Sequence, residues 1–574
     1  MALVLKNYPV EIADKVSGLL RSGDYLKLLE WADCYGRTEY SSPKDAFLVS
    51  QLTALIKKYP FRDPKLPAMA KKKALAKFLA SEQRCKRYNL KFRRFATAKK
   101  RDTRSFRHSA MRDWIRYVIG EVPDMTSIHG LCSFGPGASI GVHGNATHMA
   151  RKFLSQEWSC TPTALAYVIP AMETDPLVWE LLCPHKGEFY CHDPLEFRKE
   201  LLAKYRPIQH NKIVFVPKTA LVDRTIAIEP LLNGYVQKGI DEYLRLLLKR
   251  VGLDLEHQEP NQELALLGSL PNQVDPFVTI DLSSASDSIS LEVVRYLLPP
   301  AWFDLLNRTR SPGYTFDGAN YLRYEKFTSM GNGFCFPLET LIFASVCAVL
   351  SKPKDFIVYG DDIIVRQSVA HEVLKTLWGL GFRHNTDKTF LSGEFRESCG
   401  ADYYAGQNVR PLNLDYTFAK YEDVIKFHNL SLQETRWASY FSEVREYLRG
   451  LIPREHRLTR PYKGVVTGAF EVELDEFQSS PYALWDRDTQ AWSWLELEAR
   501  SVNDNDIASV KRYNTVLMMA ALRGFSSKSK KDKRELENPV VQLSPFAYRR
   551  KTTQTVTRKG YGGSNSNWIP PQTA

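Results

Sequence analysis

The sequence predicts an α+β protein of several domains, and three observations carry that expectation. At 574 residues the chain exceeds what one hydrophobic core usually serves, so about three or four domains or subdomains are expected. From about Lys212 to Gly406, short β-rich runs alternate with helical stretches, the pattern of a mixed helix-and-sheet unit. On either side helical character dominates. Residues 1–60 read as helical and mixed in charge. Trp437, Tyr440, Phe441, Val444, Tyr447 and Leu448 recur every three or four positions before a stop at Gly450.

The composition, 25% charged and 44% hydrophobic, excludes collagen-like and wholly disordered classes. Nine cysteines include no CxxC pair, so a disulfide framework is not expected and a reducing cytosol is the natural compartment. No apolar run reaches the roughly 20 residues of a membrane span, and no signal-peptide pattern opens the chain. A membrane partner is not expected.

The net charge of +13 has one source. Between Lys71 and Arg107, fifteen Lys and Arg face only Glu82 and Asp102, so this segment carries the whole excess and the remainder sums to zero. Phe78, Tyr88, Phe92, Phe95 and Phe106 are interleaved. Cations neutralise phosphates and aromatic faces stack on unpaired bases, so the cluster predicts polyanion binding through residues such as Arg93, Arg94, Lys99 and Lys100. The alternative is an amphipathic helix pair whose aromatics face the core, or a segment that packs on an acidic face of the same chain. Two further features are set aside. The glycine-rich stretch Cys132–Gly144 lacks any phosphate-loop context. Cys183, His185, Cys191 and His192 do not have a usual zinc spacing and read as loop residues.

Chemistry is concentrated in three acidic residues. Phe356–Tyr359 is a short β run, Gly360-Asp361-Asp362 a turn and Ile363–Val365 a second β run, which makes a hairpin with two carboxylates at its tip. Phe277–Ile280 is another β run that ends on Asp281, followed by Asp287 and a helix stopped by Pro299-Pro300. If the two units share a sheet, Asp281 and Asp361 meet at one end of it. Oxygen-rich sites of that kind hold Mg²⁺, and two such ions can activate a 3′-hydroxyl and stabilise a leaving pyrophosphate.

Several runs carry a resemblance. They are Val216-Pro-Lys-Thr-Ala-Leu-Val-Asp-Arg-Thr-Ile-Ala-Ile-Glu-Pro230, Thr279-Ile-Asp-Leu-Ser-Ser-Ala-Ser-Asp-Ser-Ile-Ser-Leu291, Ser329-Met-Gly-Asn-Gly333, Val358-Tyr-Gly-Asp-Asp-Ile-Ile364 and Phe395-Arg-Glu-Ser-Cys-Gly400. In order and spacing they resemble the motifs of the replicase catalytic β subunits of single-stranded RNA bacteriophages, the Qβ-type RNA-directed RNA polymerases. The likeness is dense over about a third of the chain. It implies a right-hand fold with fingers, a palm built on an antiparallel sheet flanked by helices, and a mainly helical thumb. The division implied is 1–228 for the N-terminal region and fingers, with a triphosphate-gripping element at 212–228. Residues 229–406 form the palm, with a fingers-side excursion near 300–328. Residues 407–550 form the thumb and 551–574 a flexible tail.

The resemblance also implies roles. Asp281 and Asp361 ligate two Mg²⁺ ions, for which Mn²⁺ can substitute, with Asp362 beside them. Asp287 and Asn332 sense the ribose 2′-hydroxyl. Ser329, Gly331 and Gly333 let backbone approach the template–nucleotide pair, or else form a plain helix-entry loop. Lys218 and Arg224 grip the triphosphate. Lys388 corresponds to a lysine proposed to protonate pyrophosphate, although a surface lysine reads identically. Template RNA and NTPs are the implied ligands, initiation is implied to be primer-independent, and the implied location is the cytoplasm of the infected bacterial host. Host elongation factors Tu and Ts and a ribosomal RNA-binding protein are the implied partners. Two other readings predict differently. A reverse transcriptase usually carries an aromatic where Asp287 and Asn332 stand, and a non-catalytic RNA-binding or packaging protein has no use for the carboxylates.

Overall fold

A computed structural model describes residues 1–36, 39–97, 103–143, 146–147, 149–183, 193–414, 418, 420–433, 437–461, 468–488, 491–499 and 548–556. Four helices open the chain: Ala2–Leu5, Val10–Ser22, Tyr25–Tyr35 and Pro43–Lys58. The last begins where the sequence supplies a cap. The Ser42 hydroxyl accepts from the Asp45 amide, and Pro43 occupies the first turn, where a missing N–H loses nothing. Leu28, Phe47 and Ile56 from these helices share a core with Phe427, Phe441, Phe470 and Trp494. The core of these N-terminal helices is thus shared mainly with residues beyond 400.

The basic segment is largely one 33-residue helix, α1 (Lys65–Thr97), about 50 Å long. Leu66, Ala70, Ala74, Phe78, Ser81, Cys85, Asn89 and Phe92 follow a three-or-four spacing and are all buried, so α1 has a true core face. Lys72, Lys77, Lys86 and Arg94 stay exposed. Lys99 and Lys100 lie outside the described residues.

Strands β1 (Asn211–Thr219) and β2 (Val222–Pro230) pair antiparallel, with an irregularity between Pro217 and Thr219. Three short strands complete their sheet: Ser139–Ile140 beside β2, then Gly313–Thr315 and Leu322–Arg323 beyond β1.

The second sheet begins with β3 (Phe277–Ile280), buried along its whole length. After it come α2 (Leu291–Leu297), a helix that restarts at Pro300, and the apolar α3 (Cys335–Leu350). Strands β4 (Phe356–Tyr359) and β5 (Asp362–Arg366) form the expected hairpin, and the sheet order is β3–β5–β4, all antiparallel. Successive side chains of β5 point to opposite faces. Ile363 and Val365 pack with Leu338, Leu341, Val373 and Leu377, whereas Ile364 packs with Phe277 and Ala265. Helix α4 (Gln367–Leu380) ends on Gly381, whose φ of 111° is left-handed. Strands β6 (Phe395–Ser398) and β7 (Ala401–Tyr404) form a further hairpin.

Among the described residues, the C-terminal region adds strands to the expected helices. It holds helices Tyr421–Gln433 and Ser442–Gly450, but also the parallel pair Thr459–Pro461 and Phe470–Val472. A three-stranded sheet follows, of Leu484–Asp486, Ala491–Ala499 and Tyr548–Val556. The helical spacing of residues 437–448 is real but local. Residues 551–556, read as the start of a flexible tail, pair with residues 491–496, in keeping with the β-branched Thr552, Thr553, Thr555 and Val556. None of the eight cysteines among the described residues is in a disulfide. No helix among them is long and apolar enough to cross a membrane.

His428 makes the C-terminal core acid-sensitive. Its ring is buried, Nε2 donates to the Glu471 carbonyl at 3.1 Å, and Nδ1 has no hydrogen-bond partner among the described residues. Burial pushes its pKa down to about 4. A neutral folded histidine and an ordinary unfolded one mean that the unfolded state binds more protons between about pH 6.5 and 4. Stability is therefore full above 6.5 and falls through that window by at most about 3 kcal/mol. Urea melts at several pH values should show the fall, and His428→Gln should flatten it.

Candidate active site

β3 ends one residue before Asp281 and β5 begins one residue after Asp361, so the pairing of Ile280 with Ile363 brings both aspartates to one end of the sheet. Gly360 makes the turn between β4 and β5 possible. It takes a left-handed φ of 62° at the first position of a two-residue hairpin loop, the place where a II′ turn requires glycine. Its amide donates to Thr340 Oγ1 at 3.0 Å, and a Cβ there would lie 2.2 Å from the Phe336 ring. The turn is thus fastened to α3.

Burial is the main cause that raises Asp281, Asp361 and Asp362 above the ordinary carboxylate range. Repulsion from Asp361 adds at Asp281, and Asp362 is pushed up to about 7 with help from both neighbours. Lys218, Lys388 and Arg224 draw Asp361 back towards its charged form. Hard oxygen donors crowded beyond what the local positive charge balances fit a divalent cation. Asp281 and Asp361 fit that role best. Asp362 Oδ2 accepts from the Cys399 amide at 3.3 Å and so anchors the turn between β6 and β7.

The surrounding residues are assembled from distant segments. Asn385 Nδ2 donates to Asp281 Oδ2 at 3.0 Å, and its amide donates to the Asp281 carbonyl at 2.8 Å. Lys388 Nζ pairs with Glu397 at 2.6 Å, so the lysine reaches the site already bound to a carboxylate. Lys218 sits at the irregularity of β1, and Arg224 lies on β2 opposite Val216. Neither is paired with a carboxylate among the described residues. The Lys218 ammonium is lowered below an ordinary lysine by desolvation, then by Arg224 and Lys388.

Asp287 lies on a 3₁₀ turn, Ser286–Ser288, where Lys326 donates to Oδ1 at 2.6 Å and Thr225 to Oδ2 at 3.3 Å. Asn332 is buried and its Oδ1 accepts from the Phe334 amide. No hydrogen bond joins Asp287 and Asn332. Beneath the 329–333 loop runs a buried polar network. Ser329 Oγ donates to Tyr324 Oη and Tyr324 to Asn211, while Asn211, Gln237 and Ser311 all donate to Glu229.

Gly331 has a φ of 111°, and a Cβ on it would lie 2.1 Å from the Ala227 carbonyl oxygen. The close approach it permits is therefore to β2 of its own chain. There the Ala227 amide donates to the Met330 carbonyl at 2.7 Å. Gly331→Ala combines a wrong-handed φ with a backbone clash and should lose more than about 2 kcal/mol in urea melts.

Four contributors were missed by sequence reasoning: Asn385, Glu397, Lys326 and Glu339. Only Glu339 had a visible signal, as the sole charged residue in α3. It is buried, its Oε2 has no hydrogen-bond partner among the described residues, and burial followed by Asp361 and Asp287 holds it well above the carboxylate range. Of the basic residues, Arg93 pairs with Glu292 of α2 at 3.1 Å, so it is engaged within the chain. Arg94 is exposed. Cys183 is buried, and His185, Cys191 and His192 lie outside the described residues.

Fold and site together define an α+β protein with clustered carboxylates at a sheet end, faced by a cation-bearing hairpin. The chain belongs to the RNA replicase beta-chain family, whose model matches residues 31–442. It is 36% identical over 379 residues to the RNA-directed RNA polymerase subunit beta of Escherichia virus Qbeta, covering 64% of this chain and 58% of that protein. With the RNA-directed RNA polymerase beta chain of Escherichia phage MS2 it shares 37% identity over 303 residues, 52% of each chain. The chain thus spans between half and two thirds of the length of these relatives. Among solved structures it is similar to the RNA-dependent RNA polymerase of a human picorbirnavirus. That match has 14% identity and a TM-score of 0.30, and covers 42% of this chain and 55% of that one. The family read from the motifs is the family found.

Proposed function

We propose that the chain is the catalytic subunit of an RNA-directed RNA polymerase that copies a viral RNA genome from NTPs in the cytoplasm of an infected bacterium. The observation that carries this reading is the meeting of Asp281 and Asp361 at one sheet end, opposite Lys218 and Arg224. Divalent ions bound at the two aspartates would supply Lewis-acid stabilisation of the 3′-hydroxyl and of the leaving pyrophosphate. The chain's own residues do the rest. Lys218 and Arg224 bind the triphosphate and orient its α-phosphate. Lys388, held by Glu397, stands where a proton can pass to the departing pyrophosphate. Asp287 and Asn332 face the sugar and favour ribose, because polar groups placed for a 2′-hydroxyl are left unsatisfied without it.

In right-hand terms, β3–β5 with α3 and α4 would be the palm, β1 and β2 belong to the fingers, and residues 407–550 to the thumb. The exposed side of α1 would follow the RNA backbone. Primer-independent initiation and association with elongation factors Tu and Ts and a ribosomal RNA-binding protein are part of the same proposal. The test is incorporation on an RNA template with Mg²⁺ and either NTPs or dNTPs. NTP-specific, template-dependent extension is expected. Preference for dNTPs would favour a reverse transcriptase, and RNA binding without incorporation would favour a packaging protein.

A further inference from the structure

We propose that Lys326 is the positioning residue that fixes Asp287 for reading the sugar of the incoming nucleotide, and that α1 supplies the socket in which it does so. This rests on the polymerase reading above. The Lys326 side chain is 0% exposed, and its ammonium donates to Asp287 Oδ1 at 2.6 Å. A buried lysine is unfavourable unless its charge is met on several sides. Here the ammonium lies 3.8 Å from the centroid of the Phe78 ring and 5.2 Å from that of Tyr324, both favourable cation–π positions. Glu82 adds a second carboxylate: its Oε2 accepts from the Glu325 amide at 2.8 Å, and its charge interacts favourably with Lys326.

Phe78 and Glu82 lie one turn apart on α1, and the next turn continues the contact. Cys85 Sγ donates to the Asp287 carbonyl at 3.5 Å, and Arg84 to Ser288 Oγ at 3.3 Å. The helix that carries most of the chain's excess positive charge thus turns its acidic residue inward to seat a lysine from a segment more than 200 residues away.

The consequence is geometric. Lys326 and Thr225 each take one oxygen of Asp287, which leaves the carboxylate further lone pairs in a fixed direction. Removing Lys326 leaves an uncompensated, largely buried anion near Glu339, whose carboxyl senses both Asp287 and Asp361. Such a carboxylate no longer holds a defined position for a 2′-hydroxyl.

The experiment measures kcat/KM for ATP and for dATP on one RNA template. It uses the full chain with any co-purifying subunits, in wild type, Lys326→Met, Asp287→Asn and the double variant. Lys326→Met should lower the ATP-to-dATP ratio by about tenfold or more. The double variant should match Asp287→Asn alone, because Lys326 acts through Asp287. A purely structural lysine would lower both activities together and leave the ratio unchanged, which overturns the inference. So does a further drop in the ratio of the double variant below that of Asp287→Asn. If Lys326→Met does not fold, Lys326→Arg carries the test. It keeps the charge but displaces the donor, so its ratio must still fall. A wild-type protein that extends neither nucleotide refutes the polymerase reading itself, which is a separate failure.

Discussion

Asp361→Asn should abolish nucleotide incorporation, by at least about 10³-fold in kcat, while the protein stays folded and binds RNA nearly as wild type does. The size follows from the site's electrostatics. Charge stabilisation by bound metal is worth several kcal/mol, and each 1.36 kcal/mol is tenfold in rate. The asparagine keeps the shape of the turn, which rests on Gly360 and its bond to Thr340, so the sheet end is preserved. It removes a carboxylate that burial already holds above its ordinary range and that raises both Asp281 and Asp362. In metal-free buffer the variant should therefore melt no lower than wild type, because a like-charge repulsion has gone. Wild type should gain Tm on addition of Mg²⁺ and the variant much less, because ligand binding to the folded state stabilises it by mass action. Thermal melts with and without Mg²⁺, run beside single-turnover extension, separate loss of metal from loss of fold. Wild-type turnover by Asp361→Asn would remove the assignment.

How far the sequence could be read depended on whether a signal was local. Phe277–Ile280 and Phe356–Tyr359 were legible to the residue, because a short apolar run flanked by turn-forming residues (Pro276 and Asp281 for the first, Asp355 and Gly360 for the second) has few alternatives. Their adjacency in one sheet required the pairing of Ile280 with Ile363, which spans 83 residues of chain and leaves no local mark. The same holds for the partners of the acidic residues. Asn385 reaches Asp281 across 104 residues and Lys326 reaches Asp287 across 39. In the basic segment, the alternative of an amphipathic helix with core-facing aromatics is the one that the periodicity from Leu66 to Phe92 carries, with Phe78 and Phe92 buried. That periodicity makes one side of α1 core, and Arg93 engages Glu292 across the interface with α2. In the C-terminal region, helical spacing at 437–448 was extended over strands whose partners lie up to some 60 residues away.

Lys218→Ala with Arg224→Ala should lower kcat/KM for NTPs by about 10² to 10⁴, mostly through KM, without changing affinity for RNA. Two hydrogen bonds to charged groups, at roughly 1.5–3 kcal/mol each, give that range. The placement of the pair supports the estimate. Lys218 stands where the ladder between β1 and β2 is irregular, a break that re-aims a side chain, and Arg224 projects from the partner strand. Neither has a carboxylate partner among the described residues, and Lys218 feels the charge of both Arg224 and Lys388. Lys388 is met by Glu397, and all three cations draw Asp361 towards its charged form, while Lys218 is disfavoured by Arg224 and Lys388. The double variant removes that repulsion together with an attraction to Asp361, so its stability without nucleotide should stay close to wild type, and the loss should appear when nucleotide is present. Lys218→Arg, which keeps the charge, should retain most of the activity, and the NTP KM of wild type should rise with salt more steeply than that of the double variant. An unchanged kcat/KM in the double variant would mean that the triphosphate is held elsewhere. In that case Lys388, which also acts on Asp361 and is bound to Glu397, would be the remaining candidate, and Lys388→Ala would have to show the missing effect on KM.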